Sequence, residues 1–365
     1  MKRVLHVGKF YPPVSGGMER VVETLCRASE GLVESRVLAM HTSPETVEEV
    51  RAGVPVTRVG TIGAAGSVPI APGFPCALGR AAADLIVLHE PNPWALLSYA
   101  LTQPRPPVAI WYHSEVVRPS LQYALFYAPI ARPAYRRAVR FIVSSPALAE
   151  RASALAPYRE RVRVVPFGID PRPWHGSGAG SDFVLFAGRH VAYKGVDVLL
   201  RALQGTAIRA VIAGDGPKRI EWEALARTLR LDGQVRFAGD VPDTELRALM
   251  QTCGVLVLPS VTRAEAFGYV QLEAMASGKP VVSTDVPSGV SWVNQHETTG
   301  LVVPAGDTVA LRAALERLVR DPGLRSRLGE AGRRRVEQQF TIARLRERLA
   351  DFYRELDLLG QSSSC

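Results

Sequence analysis

The stretch from Arg3 to Ser29, RVLHVGKFYPPVSGGMERVVETLCRAS, decides the fold class. RVLHVG is a short apolar run with β-branched residues, and KFYPPVSGG after it is built from turn formers. MERVVETLCRAS then places Val21, Val22, Leu25 and Cys26 at helical spacing. Strand, glycine-rich loop and helix make the first unit of a doubly wound sheet. Further buried strands are expected in SRVLAM, DLIVLHE, PVAIWYH and RFIVSS. Their apolar runs are continuous rather than alternating, which implies a parallel sheet covered on both faces.

RVRVVPFGIDPRPWHGSGAGSD closes this series. Pro166, Pro171 and Pro173, then Gly176, Gly178 and Gly180, read as an interdomain linker. A second series follows: strands in DFVLFAGR, RAVIAGDG, QVRFAGD, GVLVLPS, PVVSTD and GLVVP, alternating with helices in VDVLLRALQ, RIEWEALARTLRL, TELRALMQTC and EAFGYVQLEAMASG. TIARLRERLADFYRELDLL is a long amphipathic helix. A chain of 365 residues suits two α/β domains. The expected division is residues 1–168, residues 169–340, and a C-terminal helix over 341–358 that packs back on the first domain.

Cys26, Cys76, Cys253 and Cys365 are scattered without a C-x-x-C pair, which gives neither a disulfide framework nor a zinc site and fits a reducing compartment. The apolar run before Lys9 is too short for a signal peptide, and no run of about 18 apolar residues is present to span a bilayer. The expectation is a cytoplasmic protein, with peripheral contact at the inner membrane face as one reading of its charge. Of the net +9, residues 1–168 carry 19 Lys and Arg against 12 Asp and Glu. The excess gathers around Arg132, Arg136, Arg137, Arg140, Arg151, Arg159, Arg161 and Arg163. Such a lobe would meet anionic lipid, a phosphorylated acceptor or nucleic acid, or would simply be a solvated arginine surface. Gln361 to Cys365 is expected to be disordered.

Ser260 to Thr284, SVTRAEAFGYVQLEAMASGKPVVST, carries the chemistry. Glu265 lies just before Phe267–Gly268, and Glu273 follows after seven intervening residues. If a helix begins near Phe267, its first N–H groups and dipole form an anion site, and Gly268 lets a ligand approach the backbone. Glu273 would lie about 8 Å further along that axis. A sugar nucleotide needs this layout: an acceptor for sugar hydroxyls, amides for phosphate, an acceptor for ribose. The plain alternative is a helix-start carboxylate and a solvated one. In FAGRHVAYKG, Arg189 and Lys194 follow a strand, and two cations on one loop can neutralise a diphosphate without a metal.

EAFGYVQLE resembles the E-x7-E signature of the retaining GT-B glycosyltransferases of family 4, the group 1 glycosyltransferases. The likeness extends over nearly the whole chain, through GKFYPPVSGGMER, YHSEVVR, VVPFGID, FAGRHVAYKGVDVLL, VIAGDGP and the tail helix. It implies two Rossmann-like domains facing a central cleft, residues 1–168 on the acceptor side and 169–340 on the donor side. HSEVVR and SGVSWVNQHETTGLVVPAGD look most like bacterial enzymes that build O-antigen or other surface polysaccharides, several of which transfer mannose or a related sugar.

The resemblance implies a UDP- or GDP-sugar donor, no cofactor, a glycan or lipid-linked acceptor, and retention by same-face attack without a protein nucleophile. It gives Arg189 and Lys194 to the diphosphate, Glu265 to the sugar and Glu273 to the ribose. Phe267, Gly268 and Tyr269 fall at the helix start. It sets the backbone carbonyl of His113 near the reacting carbon, although a single histidine is more often structural. Gly16 and Gly17 resemble the family's N-terminal glycine loop, whose amides face phosphate or sugar. Gly214, Gly216 and Val241 correspond to segments near the nucleotide, though glycines after strands are equally expected of turns. His89 ends a strand on the acceptor side; His6, His41, His175, His190 and His296 take no role. No Asp-x-Asp motif appears, so no metal is assigned. Phe167 stands where the family's crossover commonly carries a small polar residue. Two competitors remain: a sugar-nucleotide epimerase of related fold, which would lack the combined Arg-x4-Lys and E-x7-E pattern, and a nucleic-acid-binding protein, disfavoured by 7% aromatic content.

Overall fold

The computed structural model describes residues 1–14, 16–66, 68–115, 123–176 and 181–359. The expectations for Gly178, Gly180, the end of HSEVVR, Cys365 and the 361–365 tail lie outside these residues. Two compact units are present. The first comprises residues 1–144, 152–167 and the chain from Ile342 onward; the second comprises 145–151 and 168–341.

The first unit contains β1 (Arg3–Val7), β2 (Glu34–Met40), β3 (Val47–Arg51), β4 (Val54–Val59), β5 (Gly63–Ala65), β6 (Val68–Ile70), β7 (Leu85–Glu90), β8 (Val108–Tyr112), β9 (Ala138–Val143) and β10 (Val162–Val164). Eight form one sheet in the order β10-β9-β8-β7-β1-β2-β4-β3, while β5 and β6 form a separate antiparallel pair. The strand order reverses direction between β1 and β7, the switch point of a doubly wound sheet. All pairings in the large sheet are parallel except β3 with β4. That hairpin was not anticipated: Val47–Val59 alternates weakly, and its two-residue turn, Ala52–Gly53, has φ of 47° and 80°. β1, β7 and β8 are almost wholly buried, as their unbroken apolar runs require.

The helix Gly17–Ala28 buries Val21, Val22, Leu25 and Cys26, the four residues whose spacing marked it. The helix Ile342–Glu355 clusters with this unit and buries Leu345, Leu349, Phe352 and Tyr353. Each such side chain contributes about 1.5–3 kcal/mol of burial. Tyr353 Oη lies 3.0 Å from Ser29 Oγ, and Arg346 donates to the Ala28 carbonyl at 3.1 Å. Glu355 accepts from Arg140 at 2.7 Å and from Arg163 at 2.6 Å. Arg161 and Arg137 are spent on backbone carbonyls, Arg161 on those of Arg136 and Ala138 and Arg137 on that of Pro104. Part of the arginine excess is therefore structural. Across the Pro166–Ile169 crossover the chain is buried rather than exposed, unlike a free linker, and Ile169 N–H donates to Phe340 O at 2.7 Å.

The second unit contains β11 (Phe183–Ala187), β12 (Arg209–Ala213), β13 (Val235–Gly239), β14 (Val255–Leu258), β15 (Val281–Asp285) and β16 (Gly300–Pro304). All are parallel, in the order β13-β12-β11-β14-β15-β16, so the switch point lies between β11 and β14. Val184, Phe186, Leu199, Ile212, Val257 and Leu315 belong to its core. The short helix Pro146–Arg151, inside the span expected for the first domain, clusters here. Among the described residues no helix is long and apolar enough to cross a membrane.

One expectation is corrected. The helix after Glu265 runs Val270–Ala276 and does not begin near Phe267. Gly268 has φ of 70°, a left-handed conformation that cannot continue a right-handed helix. Phe267 is fixed instead by packing against Trp292 and Phe340, with centroid distances of 6.4 and 6.1 Å.

Candidate active site

In open α/β sheets ligands bind beyond the carboxyl ends of the strands, at the switch point. In the second unit that place is framed by the loops after β11, β12 and β14. The loop after β11 turns at Gly195, φ 66°, where a Cβ would collide with the Pro259 carbonyl of the loop after β14. Gly214 and Gly216, φ 112° and 152°, let the loop after β12 run against the first. A Cβ on Gly214 would strike the Gly188 carbonyl, and one on Gly216 would sit 2.6 Å from His190 O. Gly188 N–H donates to Ala213 O and His190 N–H to Asp215 O, which stitches the loops together. These glycines are thus explained by backbone packing alone. On Gly268 a Cβ would meet only side-chain ends, Leu258 Cδ2 at 2.5 Å and Gln271 Nε2 at 2.8 Å, so there the left-handed φ of 70° favours glycine.

This close approach brings Lys194 and Glu265 together, which separate roles on phosphate and sugar did not foresee. Lys194 Nζ lies 2.6 Å from Glu265 Oε2, with side chains 11% and 9% exposed. Ser260 Oγ donates to the same oxygen at 3.0 Å. Burial works against the lysine charge, but Glu265 and Tyr193 outweigh it and the Lys194 pKa is raised. Burial also raises the Tyr193 hydroxyl, with Glu265 adding to the shift and Lys194 and Arg189 opposing it, so all four groups share one electrostatic neighbourhood. Arg189 itself is exposed. Ser260 was missed by the sequence reading; its only signal was its place at the end of GVLVLPS.

The other residues of the signature divide by burial. Glu273 is buried, in the first turn of Val270–Ala276, so the solvated alternative for it fails. Tyr269 Oη donates to Gly168 O at 2.8 Å. Phe267 is a core side chain and offers a ligand only its backbone. Val241 is half-buried beyond β13.

In the first unit the corresponding place lies beyond β1 and β7. Gly16 caps the helix Gly17–Ala28, and a Cβ there would collide with the Glu19 carboxylate, which folds back over the helix start. Gly17 has open space around it. Arg58, buried under the loop, donates to Tyr11 O at 2.9 Å and to Glu49 at 2.7 Å. His113 follows β8, and its N–H donates to Glu90 O at 3.0 Å. Phe167 stacks on its ring at 5.8 Å. His113 Nε2 lies 2.8 Å from His89 Nδ1, and His89 Nε2 lies 3.0 Å from His6 Nδ1. The sequence reading gave His6 no role and did not connect these three rings. Glu90, beneath them in β7, accepts from Tyr135 at 2.7 Å, and burial raises its carboxyl to about 7.

Comparison with known proteins agrees with this architecture. The family described as glycosyl transferases group 1 matches residues 172–335, and that described as glycosyltransferase family 4 matches residues 15–172. The chain is 34% identical to the D-rhamnosyltransferase WbpZ of Pseudomonas aeruginosa over 93% of this chain and 92% of that one. It is 29% identical to the O-antigen chain mannosyltransferase C of Escherichia coli, over 97% and 98%. Among solved structures, Anabaena HepE in complex with UDP-glucose superposes with a TM-score of 0.81 at 19% identity, covering 97% of this chain and 100% of that one. With matches to both halves and a relative aligned over nearly its full length, the chain belongs to the group 1 glycosyltransferases of family 4 and has the GT-B fold.

Proposed function

We propose that this glycosyltransferase moves mannose or a closely related hexose from a UDP- or GDP-sugar to a hydroxyl of a glycan or lipid-linked acceptor in polysaccharide assembly. The reading further holds that the anomeric configuration is retained and that no metal takes part in the chemical step. The names of its relatives, a D-rhamnosyltransferase and an O-antigen mannosyltransferase, support the sugar and acceptor classes. The observation that carries the chemistry is the buried Lys194–Glu265 pair at the switch point, with exposed Arg189 on the same loop as Lys194.

Both contacts to Glu265 fall on Oε2, which leaves Oε1 for a sugar hydroxyl. As the glycosidic bond breaks, negative charge grows on the leaving phosphate oxygen. Arg189 and Lys194 then stabilise a charge that the ground state lacks, the condition for acceleration. The acceptor hydroxyl attacks from the side the leaving group vacates, and its proton passes to the departing phosphate oxygen. Glu273 holds the ribose, the Gly16 and Gly17 amides face phosphate or sugar, and the backbone carbonyl of His113 lies near the reacting carbon. Peripheral attachment to an anionic membrane through the arginine-rich part of that unit belongs to the same reading.

The test is a panel of UDP-, GDP- and dTDP-sugars read by thermal shift and donor hydrolysis, with and without EDTA, and with product anomers assigned by NMR. One base class stabilises the protein, turnover survives EDTA, and Glu265→Ala and Lys194→Ala each lose turnover. Normal turnover in both variants, or strict magnesium dependence, removes the proposal.

A further inference from the structure

His6, His89 and His113 are 83 and 24 residues apart in sequence, yet their rings form one hydrogen-bonded line. The parallel sheet arranges it. His6 pairs in register with Val87 and His89 with Trp111, so each next histidine lies two residues further on the neighbouring strand. An offset of two keeps all three on one face. Ring centroids are 5.3 and 5.1 Å apart. Trp111 stacks along His89 and His113 at 5.9 and 6.2 Å, and Phe167 closes on Trp111 at 6.4 Å, so aromatic rings wall the line from water.

Burial holds all three imidazoles neutral: His6 is lowered to about 4, His113 to about 3 and His89 well below its ordinary value. A neutral imidazole has one donor and one acceptor nitrogen, so three in line must all point the same way. The far end decides the direction. His6 Nε2 is buried and has no hydrogen-bond partner. One direction strands an N–H there and the other strands only a lone pair. Orphaned buried N–H groups are the rarer and costlier of the two.

We infer that the line runs from His6 to His89 to His113, with all three rings as Nδ1–H tautomers, so that His113 presents Nδ1–H outward as a fixed neutral donor to a hydroxyl oxygen of the bound sugar. His6 and His89 are then positioning residues. They never meet the sugar but choose which nitrogen of His113 carries its proton. The assignment to a sugar rests on the proposed transferase reading; the tautomers do not.

The test uses the full chain with ¹⁵N-labelled histidine and long-range ¹⁵N–¹H correlation at neutral pH. The expected result is Nδ1–H at all three rings, against the Nε2–H preference of free neutral histidine. Nε2–H at His89 or His113 overturns the inference. His6→Leu removes the first donor and is expected to release His113 into a mixture of tautomers, with kcat lower by about tenfold, the worth of one lost hydrogen bond, and donor KM little changed. His6→Asn restores an N–H donor and most of the rate. If His6→Leu does not fold, the wild-type tautomers and His6→Asn still decide. Equal tautomers and equal kcat in wild type, His6→Leu and His6→Asn also overturn the inference. A protein that transfers no sugar yet shows three Nδ1–H rings keeps the line and refutes the transferase reading instead.

Discussion

Replacing Lys194 by Met tests whether the second unit depends on its buried ion pair. The side chains of Lys194 and Glu265 are only 11% and 9% exposed, so solvent screening is slight. Removing the lysine strands a buried carboxylate with Ser260 as its remaining partner, a loss of about 3–5 kcal/mol. In a unit of about 180 residues each kcal/mol moves Tm by roughly 2–4 °C, so Lys194→Met should melt about 6–20 °C lower. Lys194→Met/Glu265→Leu, which removes both charges and keeps the volume, should recover most of that loss. The coupling should be about 2–3 kcal/mol. The pH dependence has a definite sign. A raised lysine pKa gives stability that is complete below the ordinary value of 10.5 and is lost as pH rises through the higher folded value. The difference between wild type and Lys194→Met should therefore be flat from about pH 6 to 9 and shrink only above about 10.5. Scanning calorimetry without ligand measures all of this. A shift of under about 2 °C for Lys194→Met, or a double variant as unstable as the two single losses combined, refutes the reasoning.

Two further outcomes concern Glu90 and Gly214. Burial raises the Glu90 carboxyl from 4.5 to about 7, so its protonated form favours folding and that advantage is lost as pH rises between those values. Glu90→Gln, which still accepts from Tyr135, should match wild type near pH 4 and exceed it by roughly 3 kcal/mol above pH 8 in Tm-against-pH profiles; parallel profiles would sink the idea. Gly214→Ala places a Cβ against the Gly188 carbonyl at φ 112° and should cost at least about 2 kcal/mol. A fully stable variant in chemical denaturation would show that the two loops are not locked.

Much of the fold was legible because its signals are local. Buried parallel strands announce themselves as unbroken apolar runs, and the helix Gly17–Ala28 shows its buried face in four residues. The hairpin of β3 and β4 was not legible, since its turn is Ala-Gly rather than Asn-Gly and its alternation is weak. The helix start after Glu265 was misread for a related reason. Gly268 looks like a ligand-approach glycine in a linear string, and only its left-handed backbone shows that it ends a loop.

The candidate site divides along the same line. Residue types and spacing drew attention to Arg189, Lys194, Glu265 and Glu273, because cations and carboxylates at strand ends are chemistry written in order along the chain, whereas His113 stood out chiefly through the family resemblance. The joining of Lys194 to Glu265, of Ser260 to the same oxygen, and of His6 to His89 to His113 was decided only by the folded sheets. The Lys194–Glu265 and histidine pairings link different strands or the loops after them, so they depend on strand order and register, whereas Ser260 reaches Glu265 within the single loop after β14. Sequence sets which groups are available; the parallel register sets which of them touch, and through contact which carry charge and where each proton sits.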